Sequence, residues 1–165
     1  MKTVIKSQYL ATLAMLRQTI EKCPDNLWDA ANQTNRFWHV AYHALFYTHL
    51  YLQISGDAFT PWEKHYGNLE ILGATPWPPH TKPEIGEPFT KNEILDYLEL
   101  CTNEVVVQTE KLVFDDPSGF EWLPFNKFEL QLYNIRHLQH HVGELSDQLF
   151  TQAQIEVDWV GMQHA

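Results

Sequence analysis

The stretch YNIRHLQHHVGEL, residues 133–145, decides the fold of this chain. At 100° per residue, three apolar side chains of this stretch and a fourth just beyond it form a single stripe, as an amphipathic helix requires. The stripe consists of Leu138, Val142, Leu145 and Leu149. His137 and His141 lie together on one flank of the stripe, whereas His140 points further towards solvent. We therefore predict a helix from about residue 126 to 150, followed by a loose tail.

Outward from this helix, two earlier segments also have helical periodicity. Apolar residues recur every three or four positions from Ile5 to Ile20, and Pro24 ends that segment near Cys23. A second segment, from about residue 35 to 54, is apolar most of the way round. We expect this second helix to be heavily buried.

The third helix begins at a capping box formed by Thr90 and Glu93, in which each side chain accepts a hydrogen bond from the other residue's free backbone N–H. Residues 57–89 lie between the second and third helices and contain six prolines. The same stretch carries large apolar and aromatic residues, namely Phe59, Trp62, Tyr66, Leu69 and Trp77. We expect a long crossover packed on the helices, with a short helical turn near residues 62–72. Residues 1–165 are thus predicted to form one all-α domain, a four-helix bundle with one long connection.

Two pairs of histidines stand at helical spacing. His137 and His141 are four residues apart, a spacing that can direct both imidazoles at one ion, as in the HExxH zinc motif. His39 and His43 share a stripe of the apolar second helix, where every buried imidazole nitrogen needs a partner. A metal on one nitrogen and a carbonyl or carboxylate on the other would meet that need. Three histidine ligands leave an open coordination position, as a catalytic site requires.

The roles of two residues beside these histidines stay open. His39 could replace His43 as a ligand, add a fourth ligand, or be a core histidine satisfied by hydrogen bonds. The last interpretation is favoured because buried polar groups find partners. Glu144 lies near the direction of His137 and His141, where it could orient an imidazole, act as a general base, or be an ordinary exposed glutamate.

The other histidines and aromatics have simpler interpretations. His140 is predicted to be a surface residue, and His49 lies off the stripe of His39 and His43. On the crossover, His65 and His80 could line a pocket mouth, although solvated loop positions are favoured. The aromatics of the second helix are predicted to belong to the core rather than to a cofactor site; they are Tyr42, Phe46, Tyr47 and Tyr51.

The segment HLQHHVGE, residues 137–144, resembles the helix-four HxxxH motif of the DinB-like (YfiT-like) metal-dependent enzymes, where a small residue and Gln follow closely. Residues 37–47, FWHVAYHALFY, are similar to that family's first-ligand helix. The helix order with a long crossover also agrees, so the resemblance covers most of the chain. It implies a four-helix bundle whose metal ligands are His43, His137 and His141. Glu144 stands where Gln is common in the family, so the role of that position remains open.

The resemblance also bears on the metal and the reaction. Family members bind zinc, nickel or another divalent ion and include hydrolase-like proteins and transferases that use low-molecular-weight thiols. Zinc or nickel is therefore expected here, with iron or manganese as alternatives, because imidazole suits several metals. The long crossover would then wall or cover the pocket of a small-molecule substrate.

Composition narrows the classes of partner. The 165-residue chain has 21 acidic and 11 basic residues, a net charge of −10 and no Lys/Arg-rich run, which argues against nucleic-acid binding. Cys23 and Cys101 form no CxxC pair, and polar residues interrupt the N-terminal apolar run. We therefore expect a cytoplasmic protein with no signal peptide, disulfide framework or membrane span. A homodimer is an open alternative to a monomer, because apolar helix faces often pair.

Two hypotheses of different class follow. In the leading one, a metal held by three histidines activates water or a thiol for attack on a small substrate. In the competing one, the chain is a non-enzymatic helical interaction or stress-response protein that is metal-stabilised or metal-free. Several other chemistries lack their motifs, because there is no ExxH, HExxH, Gly-rich phosphate loop or GxSxG elbow.

Overall fold

The protein is all-α, as predicted. The computed structural model describes residues 1–73, 83 and 85–163, and within these the only β feature is an isolated bridge. The helices of the described residues are α1 (Lys2–Lys22), α2 (Asp25–Trp28), α3 (Phe37–Leu52), α4 (Lys91–Lys111) and α5 (Lys127–Ala153). Trp77 and His80, which the sequence placed on the crossover, lie outside the described residues.

The four long helices share one hydrophobic core. Helices α1 and α3 each pack along both α4 and α5, whereas they make only a small contact with each other. Almost every residue of α3 is buried, as its apolar sequence predicted, because helices cover it on two sides. In the part of the chain that the structure describes, no helix combines the length and hydropathy needed to cross a bilayer.

The predicted capping box is present at the start of α4. The backbone N–H of Glu93 donates to Thr90 Oγ1 at 3.3 Å, and the backbone N–H of Thr90 donates to Glu93 Oε2 at 2.8 Å. At α5, Asn126 Oδ1 accepts from the backbone N–H of Glu129 at 2.9 Å. Both helices therefore begin where a side chain satisfies a free N–H.

The crossover packs on the helices, but the helical turn predicted near residues 62–72 is wrong. The chain makes isolated turns there, in which the N–H of His65 donates to the Trp62 carbonyl at 2.8 Å and that of Leu69 to the Tyr66 carbonyl at 3.3 Å. Instead of continuing as a helix, the backbone presents the carbonyls of Leu69 and Glu70 to histidines of α3. Side-chain partners on α3 thus replace the helical hydrogen bonds.

The predicted loose tail after α5 is also wrong. Ile155, Val157 and Val160 pack against the core, and polar side chains of α1 bind the tail's backbone. Lys22 donates to the Glu156 carbonyl at 3.0 Å, and Gln18 donates to the Asp158 carbonyl at 3.2 Å. The segment has no helical periodicity, so its fit along α1 has no local signal in the sequence.

The stability of the fold should depend on pH, because His39 and His49 are buried in the neutral form. Burial lowers the pKa of His39 and of His49 below the usual 6.5. The unfolded chain therefore binds protons below about pH 6.5 that the folded chain does not. The free energy of unfolding should fall as the pH drops through this range, by at most about 1.4 kcal/mol per pH unit for each histidine.

Urea unfolding of metal-free protein at pH 7.5 and 5.5, compared between wild type and His49→Gln, measures this effect. The variant should lose less stability on acidification than the wild type does. Equal losses in the two proteins would show that His49 does not stay neutral in the fold.

Candidate metal centre

Helices α3 and α5 bring together the three histidines that the sequence singled out. Asn134, one turn before His137, donates from Nδ2 to the Thr48 carbonyl of α3 at 3.2 Å and so helps to fix the register of the two helices. In that register, His137 Nε2 lies 3.1 Å from His43 Nε2 and 3.2 Å from His141 Nε2. One nitrogen from each ring lies within 4.8 Å of the other two, so these histidines could hold a metal ion.

Hydrogen bonds at Nδ1 determine the tautomers of His43 and His141, and so which ring nitrogen has a lone pair that faces the cluster. His43 Nδ1 lies 2.6 Å from the Glu70 carbonyl oxygen, which can only accept, so the Nδ1–H donates. His141 Nδ1 donates to the Glu144 carboxylate at 2.9 Å. When both rings are neutral, the Nε2 atoms of His43 and His141 therefore present lone pairs to the cluster, the tautomer that a metal-binding histidine needs.

His137 cannot satisfy both of these lone pairs. Its Nδ1 is buried and has no hydrogen-bond partner in the part of the chain that the structure describes. With its proton on Nε2, the ring donates to one neighbour and leaves the other unpaired. With its proton on Nδ1, three lone pairs converge, that of His137 lying 3.1 Å from the Nε2 of His43 and 3.2 Å from the Nε2 of His141. A cation at the centre resolves the conflict, and ligand nitrogens around a tetrahedral zinc ion lie about 3.3 Å apart.

The electrostatics keep the imidazoles of His43 and His137 neutral. Burial, together with the neighbouring imidazoles, lowers the pKa of His137 to about 3 and that of His43 well below its usual range. Neutral imidazole is the form that binds a metal, so no proton has to leave these two rings at neutral pH.

His39, the alternative ligand, lies outside the cluster. It is 3% exposed, and its Nε2 donates to the Leu69 carbonyl at 2.6 Å. The structure therefore places it as a core histidine satisfied by a hydrogen bond. Because the next carbonyl along the chain, that of Glu70, orients His43, His39 holds the segment that carries this orienting group.

This geometry predicts that His39 supports metal affinity without binding the metal. His39→Leu should weaken zinc binding by about tenfold, the low end of what loss of a supporting partner costs. His39→Gln keeps an N–H donor and should bind zinc nearly as tightly as the wild type. Competition titration against a chromophoric chelator measures both affinities. Wild-type affinity in His39→Leu would exclude the supporting role, and failure of His39→Gln to recover affinity would assign the effect to packing.

A cleft of about 940 Å³ opens beside the cluster. It is lined by His43, Phe46, Tyr47, Leu50, Tyr51, Glu70, Ile71, Leu72, Trp122, Tyr133 and His137. Its volume lies in the range of small-molecule sites. Tyr42 belongs to the core, as predicted, but Phe46, Tyr47 and Tyr51 also line the cleft, so the core assignment was incomplete for them.

The remaining predicted residues divide between surface and interior. His140 is exposed, as expected, and together with His141 and Glu144 it forms a second group that could hold an ion at the surface. The solvated position favoured for His65 is wrong. Its ring stacks on Tyr42, and its Nδ1 lies 2.5 Å from the Tyr42 hydroxyl.

Glu144 contacts the outer side of the His141 ring, which fits an orienting role; it is not among the residues that line the cleft. Glu70 and Trp122 were not singled out from the sequence. Both lie in irregular segments, where no periodicity marks a residue that faces a site.

No protein-family model, curated protein or solved structure matched this chain. The fold and the site define an all-helical protein with a three-histidine cluster beside an open cleft. The resemblance to the DinB-like enzymes remains a prediction from the motif residues.

Proposed function

We propose that this protein is a metal-dependent enzyme of the DinB-like class, a four-helix bundle that binds one divalent ion through His43, His137 and His141. The observation that carries the proposal is the convergence of three Nε2 atoms at the edge of a cleft large enough for a small molecule. A site that serves only stability has no need of such a cleft, because structural metal sites are closed.

The arrangement of the helices supports the bundle. Two long helices, α1 and α3, precede the crossover, and two more, α4 and α5, follow it. Each of the first pair packs along both of the second pair. This is the connectivity of a bundle with one long crossover, which builds its sites from side chains of facing helices.

The chain's own residues would prepare the reaction in two ways. The Glu70 carbonyl and the Glu144 carboxylate hold the rings of His43 and His141 in orientation. The aromatic walls of the cleft would position the substrate and exclude water. A divalent ion in the cluster would polarise an electrophile and activate water or a thiol at neutral pH, which gives a hydrolase or a thiol transferase.

Zinc or nickel fits the all-imidazole donor set, with iron or manganese as alternatives. The proposal includes a cytoplasmic location, which the two buried, unpaired cysteines support.

The proposal is tested by comparing zinc-loaded and chelator-treated protein in two assays. The first follows hydrolysis of an aryl ester, and the second follows conjugation of glutathione to an aromatic electrophile. Turnover in one assay that requires metal is the expected result. A large fall in Tm on chelation, with turnover in neither assay, would instead favour the non-enzymatic, metal-stabilised protein.

A further inference from the structure

We propose that the side chains of the cleft beside the histidine cluster select a substrate with a flat, uncharged, apolar body and disfavour an anionic group on that body. The inference rests on the proposed function and adds a substrate class to it. It is carried by the charge of the lining residues and by the arrangement of their aromatic rings.

No lysine or arginine is among the residues that line the cleft in the described part of the chain. The only acidic residue among the described residues that line the cleft is Glu70, whose Oε2 has no hydrogen-bond partner in the described part of the chain and lies 3.9 Å from His65 Nε2. An anion entering the cleft would lose hydration and meet no cationic side chain among the lining residues.

Two cationic side chains of α5, those of Arg136 and Lys127, contact other groups and are not among the residues that line the cleft. The guanidinium of Arg136 lies over the Tyr133 ring, 5.6 Å from its centroid, on an exposed position of α5. Lys127 is buried and donates to the carbonyl oxygens of Gln53, Ile54 and Ser118. Neither residue lines the cleft, so neither offers an anion a direct partner.

The aromatic lining residues suit a flat apolar body. The ring centroids of Tyr51 and Tyr133 are 5.7 Å apart in an edge-to-face arrangement, and those of Tyr47 and Tyr51 are also 5.7 Å apart. Trp122 lines the cleft with 61% of its surface exposed, which is unusual for so large an apolar residue. Aromatic rings that line a cleft at such angles favour edge-to-face or offset stacking with another ring.

This selectivity separates the two proposed reactions. Low-molecular-weight thiols such as glutathione carry carboxylates in addition to the thiol, and a carboxylate that does not reach the metal would meet no cationic side chain among the lining residues. A neutral aryl ester or amide places its ring against the tyrosines and its carbonyl towards the histidines. The inference therefore favours hydrolysis of an uncharged aromatic substrate.

The test compares 2-naphthamide with 2-naphthoate, which differ mainly in charge, as ligands of metal-free protein by calorimetric or NMR titration. Metal-free protein is used because a bound cation would itself attract the carboxylate. The amide should bind at least about tenfold more tightly than the carboxylate. Trp122→Ala should weaken amide binding, whereas Trp159→Ala, which removes a 74% exposed tryptophan outside the cleft, should not.

Equal or tighter binding of 2-naphthoate would overturn the inference, as would amide binding that is unchanged in Trp122→Ala. Metal uptake is measured separately, so the two proposals fail independently. Protein that takes up zinc but prefers the carboxylate keeps the metal centre and loses the substrate class. Protein that takes up no metal but selects the amide keeps the selectivity and loses the proposed function.

Discussion

His137→Ala is expected to remove bound metal and catalytic activity together. His137 is the central histidine of the cluster, because its Nε2 lies 3.1 Å from that of His43 and 3.2 Å from that of His141. Loss of a supporting hydrogen bond around a metal costs about 10–100-fold in affinity, and loss of a ligand should cost more. Elemental analysis of tag-free protein should find one metal ion per chain in the wild type and essentially none in the variant.

His140→Ala is the matched control. It removes an exposed histidine from the same helix, three residues along, and leaves the three-histidine cluster intact. It should retain full metal content and activity. If His137→Ala kept its metal while His140→Ala lost it, the ion would belong to the outer group with His141 and Glu144, and our ligand assignment would be wrong.

Gly119→Ala is expected to destabilise the fold by about 3 kcal/mol. Gly119 has φ of +86°, and a Cβ built there would lie 2.1 Å from the carbonyl oxygen of Ile54. Its own carbonyl accepts from the N–H of Gly56 at 3.3 Å, so it holds the α4–α5 connection against the end of α3. A side chain would push this connection away, and with it Trp122 at the cleft. Urea unfolding monitored by circular dichroism measures the loss.

Gly143→Ala is expected to change the free energy of unfolding in the opposite direction. Gly143 lies within α5, and a Cβ added there meets nothing within 4 Å. Alanine should therefore stabilise the helix by about 0.5–1 kcal/mol. A loss in Gly119→Ala no larger than about 0.5 kcal/mol would contradict the close approach between the connection and α3.

Local periodicity predicted the helices and the pairing of His137 with His141, because residues four apart on a helix share a face. The choice between His39 and His43 could not be predicted from helix geometry, since both lie on one stripe. It depends on which ring meets the Leu69 carbonyl and which meets the Glu70 carbonyl. Those contacts join residues 30 and 27 positions apart in the chain, across the irregular crossover that follows α3, where sequence pattern gives no register.

The same reason explains what the sequence did not reveal about the cleft and the tail. Trp122 reaches the cleft from the α4–α5 connection. Lys127 helps to hold this connection, because it donates both to the Ser118 carbonyl within it and to the Ile54 carbonyl after α3. The tail follows α1 through polar contacts such as Lys22 with the Glu156 carbonyl. Such placements depend on tertiary partners and leave no periodic signal in the chain.

The most direct test of the metal centre is an anomalous difference map from a zinc-loaded crystal, measured at the zinc absorption edge. We expect one strong peak about 2.1 Å from the Nε2 atoms of His43, His137 and His141. No peak among these three nitrogens, or a peak only beside His140 and Glu144 on the outer face of α5, would contradict the three-histidine site.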